Sequence, residues 1–222
     1  MAEHRITALK VQKKNPNRVS IYLDDEFAFG VSRIVAAWLQ VGQTLSDEKI
    51  ASLQQTENQE AALQKAMLLL SYRPHSEAEI RKKLESAGFE PEVTATAIER
   101  LRATGLVRDE SFAQEWVENR GAFRPRSRKM LAYELRQKGV SEETIQQALD
   151  NTGEDDELAY QAAIRYAHKL KAAEWDEFRR RLLSLLARKG FSYETAAPVV
   201  QRVWQELRSE AGGVRNSDDE DR

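Results

Sequence analysis

Apolar and polar positions alternate over residues 5–32, whereas from about residue 57 onward apolar residues recur with helical spacing. In the first stretch Ile6, Leu9, Val11, Val19, Ile21, Leu23, Phe27 and Phe29 fall largely on alternate positions, which predicts strands. Asn15-Pro16-Asn17 supplies turn chemistry between the first two strands, and Asp24-Asp25-Glu26 supplies a second polar break. A small antiparallel β ribbon is the expected result. Two short helices are expected next, one over about Ser32 to Gln40 and one opening at Ser46-Asp47-Glu48, where acids suit the positive end of a helix.

The helical part carries an internal repeat with a period of 51 residues. Gly88, Gly139 and Gly190 are each followed by an apolar residue (Phe89, Val140, Phe191) and preceded four positions earlier by Leu84, Leu135 and Leu186. The register holds outward to Ile80, Leu131 and Leu182 on one side and to Glu92, Glu143 and Glu194 on the other. Tyr72-Arg73-Pro74-His75-Ser76 recurs as Phe123-Arg124-Pro125-Arg126-Ser127, while the third unit has Trp175-Asp176-Glu177-Phe178 in that region. Each unit reads as three helices, in the second unit over about Asp109 to Ala122, Arg126 to Lys138 and Ser141 to Asn151. Glycine after the middle helix takes the left-handed conformation that closes it. Ser141 and Ser192 are expected to cap the third helices of units two and three, and Ser76 with Glu79 to form a capping box in unit one.

The resulting division is 1–56 β ribbon and short helices, 57–108 first three-helix repeat, 109–153 second, 154–208 third, and 209–222 an acidic, disordered tail. A unit of this size buries only about 60% of its chain surface, so each leans on its neighbour and an elongated array is expected. The fold class is mainly α.

Composition agrees: 32% charged residues with ten glycines and five prolines among 222 residues favour helix. The absence of cysteine excludes disulfides and thiolate chemistry. No apolar stretch approaches the ~20 residues of a membrane helix, and Met1 to Ile6 lack the apolar core of a signal peptide, so a cytoplasmic protein without membrane contact is expected.

Enzyme signatures are missing: there is no phosphate loop, no dinucleotide-binding glycine motif and no paired-histidine zinc motif. His4, His75 and His168 lie far apart and read as surface or turn residues; Asp24-Asp25 and Asp155-Asp156 read as turn and cap residues. No catalytic residue, cofactor or metal is expected.

Basic clustering is the positive signal, because the net charge of −2 hides its distribution. Between Arg120 and Gly139, seven cations (Arg120, Arg124, Arg126, Arg128, Lys129, Arg136, Lys138) oppose Glu134 alone. Between Arg165 and Gly190, eight cations, among them Arg179, Arg180, Arg181, Arg188 and Lys189, oppose three acids. The first unit adds Arg73, Arg81, Lys82 and Lys83. Such a stripe suits a polyanion or an acidic protein groove. Tyr72, Trp116, Phe123, Trp175 and Trp204 could stack on bases, but aromatics at helical spacing are usually core, and they are read as core.

Leu70-Ser71-Tyr72-Arg73-Pro74-His75-Ser76 with Glu79, Lys83-Leu84 and Gly88-Phe89 resembles the opening of the repeat region of the RecX family. Gly105-Leu106-Val107 leading to Asp109-Glu110-Ser111-Phe112-Ala113, Trp116-Val117 and Arg120 is similar to the next part of that region, and Leu135 to Val140 and Arg188 to Tyr193 complete the pattern. The likeness spans about residues 61–207. His75, where a basic residue is frequent, the altered opening of the third unit and the acidic tail depart from it. The resemblance implies three tandem three-helix units and a regulator without catalytic residues; a monomer is expected. Its partner would be the RecA filament on single-stranded DNA, whose ATPase, strand-exchange and co-protease activities it would inhibit. The basic clustering, and not the resemblance, assigns the contacts to Arg73, Arg81, Lys82, Arg120, Arg124, Arg126, Arg128, Lys129, Arg136, Lys138, Arg179, Arg180, Arg181, Arg188 and Lys189. Weak binding to single- or double-stranded DNA stays open beside it, and a DNA-binding helical repeat protein acting without RecA is the alternative.

Overall fold

The computed structural model describes residues 3–213, which fall into two compact units that divide after Arg108. The first unit opens with a four-stranded antiparallel sheet of order β3-β2-β1-β4, built from β1 (Glu3–Gln12), β2 (Asn15–Leu23), β3 (Glu26–Ser32) and β4 (Thr44–Ser46). Alternation is read out directly: Ile6, Val19, Ile21, Leu23 and Val31 are buried together, while Val11 and Phe27 face out. Asp24 and Asp25 both have positive φ, 50° and 70°, the geometry that joins two strands through a two-residue turn of matching twist.

The first turn is placed differently from the sequence expectation. It falls on Lys13-Lys14, and Asn15 already pairs with Gln12. Asn15-Pro16-Asn17 instead lies at a register shift, where Asn15 Oδ1 accepts from the Asn17 amide at 3.1 Å. Proline has no N–H to give a ladder, so it sits at the irregularity and not inside regular pairing. The three-residue strand β4, which pairs with Glu3 to Arg5, is too short to show as alternation.

The first expected helix shrinks to one turn, α1 (Arg33–Ala36), capped by Ser32. The second starts where expected, with Ser46 Oγ accepting from the Lys49 amide, but α2 (Asp47–Tyr72) runs for 26 residues and crosses 56 and 57 without a break. Neither glycine nor proline occurs between 47 and 72, so nothing stops a helix that has once nucleated. Buried Glu57 ties it to the sheet: Oε2 accepts from the Ser32 amide at 2.6 Å and Oε1 pairs with Arg18 at 2.8 Å. Lower down, Ala62 and Ala66 of α2 meet Ile80, Leu84, Ala97, Ile98 and Leu101 of α3 (Glu77–Glu85) and α4 (Pro91–Ala103) to form the core of the first repeat.

The second unit holds two repeats. One comprises α5 (Asp109–Phe123), α6 (Arg128–Gln137) and α7 (Glu142–Asp150); the other comprises α8 (Asp155–Ala167), α9 (Trp175–Arg188) and α10 (Tyr193–Gly213). The 51-residue period is written in the backbone. Gly88, Gly139 and Gly190 have φ of 89°, 76° and 91°, and Phe89, Val140 and Phe191 each donate an amide hydrogen bond to Leu84, Leu135 and Leu186. Ser141 and Ser192 cap the helices expected of them, and the Ser76–Glu79 capping box is present. The polar segment assigned from residue 209 begins as helix, since α10 continues to Gly213 beyond buried Val203 and Leu207. The remainder, with Asp218 to Asp221, lies outside the described residues.

Two histidines of the first unit titrate in opposite senses. His4 sits 2.8 Å from Asp24 and 3.4 Å from Asp47, and the hydrogen bond to Asp24 raises its pKa above the ordinary value of 6.5. His75 is buried in the Arg73–Ser76 turn, and burial lowers its pKa below that value. The stabilisation from His4 is therefore present below about pH 6.5 and lost as pH rises through its raised pKa. That associated with neutral His75 is present above about pH 6.5 and lost as pH falls through its depressed pKa. Proton NMR titration, assigned with His4→Asn and His75→Asn, is expected to give midpoints on opposite sides of 6.5; midpoints on one side would contradict the geometry.

Candidate cationic site at the junction of the second and third repeats

The turn Phe123-Arg124-Pro125-Arg126-Ser127 ends α5 and opens α6, where Ser127 Oγ accepts from the Met130 amide at 3.2 Å. The same turn is clamped to the end of α9. The Ser127 amide donates to the Lys189 carbonyl at 3.1 Å, and Lys189 Nζ donates to the Pro125 carbonyl at 3.0 Å. Gly190 makes that approach possible: a Cβ there would lie 2.5 Å from Ser127 Oγ and 2.9 Å from Met130 Cβ.

The clamp concentrates positive charge. Half-buried Lys189 has its pKa pushed down, first by burial and then by the charges of Arg126, Arg165 and Arg124. The relief available among these four is partial, because Arg126 shares Glu134 (3.0 Å) with Arg120 (2.8 Å) and with Trp116 Nε1 (2.9 Å). Among the described residues Arg124 has no carboxylate partner.

Repeat one shows why. Its equivalent turn has Arg73 locked on Glu79 by two hydrogen bonds of 3.0 and 3.1 Å, but the position 51 residues after Glu79 is Met130. The counterpart of Arg126 is His75, whose burial disfavours the charged form. The first turn is thus close to neutral and the second is loaded.

The other sequence candidates divide. Arg128 turns to acids at the end of α7 and the start of α8, with Asp150 at 3.8 Å, Glu154 at 3.4 Å and its amide on Asp155 Oδ1 at 2.7 Å; Glu154 and Asp155 also line an open groove of about 570 Å³ together with Asp156, Glu157, Glu194 and Arg202. Arg136 pairs with Glu142, which raises the arginine pKa and lowers that of the acid. Arg181 pairs with Glu177, Arg179 donates to the Tyr193 hydroxyl and Arg188 to Ser184. Lys138 lies 5.0 Å from the Trp116 ring centre, with Arg120 at 4.6 Å from the same ring. Lys129 and Arg180 are exposed in the second unit, Lys82 is exposed and Arg81 half-buried in the first. Arg165 joins the cluster although it is not among the contacts expected from the sequence.

The aromatics correct the core reading in part. Trp116 packs beside Phe112, and Trp175 and Phe178 against Trp204, as core residues do. Tyr72 and Phe123, however, are 77% and 72% exposed. Each is the last residue of its helix, past the final buried position on the stripe, which leaves its ring in solvent beside an arginine.

Four RecX family models match the chain in order: the N-terminal domain over residues 4–46, and the first, second and third three-helix domains over 62–101, 109–149 and 154–200. The protein named regulatory protein RecX from Clostridium perfringens (strain SM101 / Type A) is 30% identical over 205 residues, covering 90% of this chain and 96% of that one. The one from Bacillus subtilis (strain 168) is 30% identical over 204 residues, covering 89% and 76%. A crystal structure of regulatory protein RecX superposes with a TM-score of 0.66 at 26% identity, covering 88% of this chain and 98% of that one. RecX from Lactobacillus salivarius superposes with a TM-score of 0.55 at 21% identity over 69% of this chain and 98% of that one, a likeness of fold.

Proposed function

Because this chain belongs to the RecX family of regulatory proteins, we propose that it regulates RecA without catalysing a reaction of its own. It binds in the groove of the RecA filament on single-stranded DNA and inhibits ATP hydrolysis, strand exchange and co-protease activity, so restraining recombination, DNA repair and the SOS response. The observation that supports a filament contact is the junction of the second and third repeats. Arg124, Arg126, Arg165 and Lys189 gather there, and among the described residues only Arg126 of the four has a carboxylate, Glu134, which it shares with Arg120; such an arrangement costs folding energy and gains from a polyanionic or acidic neighbour. Family membership says which neighbour to test.

The test is ATP hydrolysis by RecA on single-stranded DNA as the protein is titrated in. Inhibition well below one molecule per RecA is expected, because blocking growth at few points suffices. Arg124→Glu with Arg126→Glu should raise the concentration for half-inhibition by about tenfold or more, the order of one to two buried charge contacts, with helical circular dichroism unchanged. Unaffected hydrolysis by the unaltered protein would defeat the reading, and full inhibition by the double variant would remove this face from it.

A further inference from the structure

One residue of the junction is explained by neither packing nor charge. Phe123 ends α5 with its ring 72% exposed, and its chain neighbours Arg124 and Arg126 belong to the cation cluster that Lys189 completes through Pro125. A single exposed ring is ordinary on a protein surface; what sets Phe123 apart is that it stands in the same turn as the cations Arg124 and Arg126, beside Lys189. We propose that this turn is a single-stranded nucleic-acid site in which Phe123 stacks on an unpaired base while Arg124, Arg126, Arg165 and Lys189 hold the flanking phosphates.

The ring selects among polyanions. An acidic peptide satisfies the cations but offers no flat π-face, and a duplex keeps its bases stacked inside, whereas an unpaired strand presents bases and phosphates in alternation, matching an aromatic set among cations. The first repeat is an internal control for the electrostatic half. Tyr72 is equally exposed, but Arg73 there is neutralised by Glu79, and His75 replaces Arg126. The inference rests on the filament reading for its setting, since it assigns to this turn the strand and not the protein of the filament; the binding itself is testable without RecA.

The experiment is fluorescence anisotropy of the full chain with a labelled oligothymidylate of about 15 nucleotides at several salt concentrations. Binding is expected with a log-affinity against log-salt slope of about −3, that of roughly four phosphates neutralised on a single strand. Phe123→Ala should weaken it about tenfold with the slope kept, as loss of one stacked base does. Arg124→Glu and Arg165→Glu should weaken it and flatten the slope by about 0.7 each. Lys13→Glu, in the β1–β2 turn of the other unit, should change nothing. Unchanged affinity for Phe123→Ala, equal binding of duplex, or displacement by polyglutamate at equal charge would each overturn the proposal, the last in favour of an acidic protein partner. The same variants in the RecA assay separate the two readings. Inhibition of RecA without oligonucleotide binding sinks this inference alone, and Phe123-dependent oligonucleotide binding without inhibition sinks the filament reading alone.

Discussion

Gly190→Ala is expected to lower the stability of the second unit by about 3 kcal/mol, whereas Gly88→Ala should cost about 1–2 kcal/mol in the first. Both glycines close the middle helix of a repeat, and their φ values, 91° and 89°, impose nearly the same conformational penalty on alanine. The difference lies in what surrounds them. A Cβ at Gly88 meets nothing within 4 Å, while one at Gly190 would lie 2.5 Å from Ser127 Oγ and 2.9 Å from Met130 Cβ, atoms of the neighbouring repeat. Alanine at 190 must therefore push the repeats apart or break the hydrogen bond from the Ser127 amide to the Lys189 carbonyl. Denaturation by urea, followed by tryptophan fluorescence and fitted as two transitions for the two units, measures both costs. Equal losses would show that the close approach at the junction contributes nothing. The variant should also weaken the cation cluster, because Lys189 precedes the displaced glycine.

Phe178→Ala should destabilise the same unit by about 3–5 kcal/mol, the range for removing a fully buried aromatic ring. Phe178 has no solvent exposure, and its ring centre lies 4.9 Å from that of Trp204, among Leu182, Leu186 and Val203 of the third repeat's core. Phe123→Ala, the same substitution at an exposed helix end, should stay within about 0.5 kcal/mol. The pair separates two uses of one residue type. If Phe123→Ala destabilised as much as Phe178→Ala, its ring would be a packing residue and the assignment of the turn to base stacking would fail.

Legibility from the sequence depended on which interactions are local. The three glycine closures, the serine caps and the buried leucines are set within one helix and its flanks, so a 51-residue period reveals them without coordinates. The ribbon was legible through alternation, but β4 is only three residues long and Asn15-Pro16-Asn17 carries turn chemistry used for a register shift, so neither could be placed. Charge counting found the basic segments and not their grouping. Arg128 stands two residues beyond Arg126 yet turns to Asp150 and Glu154, and Arg165 joins a cluster whose other members lie about forty residues before it and about two dozen after it. Such assignments depend on how repeats dock, which no local pattern encodes. The exposure of Phe123 was missed for a related reason: its spacing is helical, but it stands one step past the end of the buried stripe.

The unbroken α2 makes the sheet and the first repeat a single lever. Leu53 and Glu57 grip the sheet side, Ala62 and Ala66 grip the repeat, and the same rigid rod, about 39 Å long at 1.5 Å per residue, carries both. Phase is therefore fixed along with distance. One residue inserted between Glu57 and Ala62 would swing the repeat by about 100° around the rod relative to the sheet, where the same insertion in a loop would be absorbed. The length of this rod can therefore change without disturbing the docking at either end only in steps close to whole helical turns.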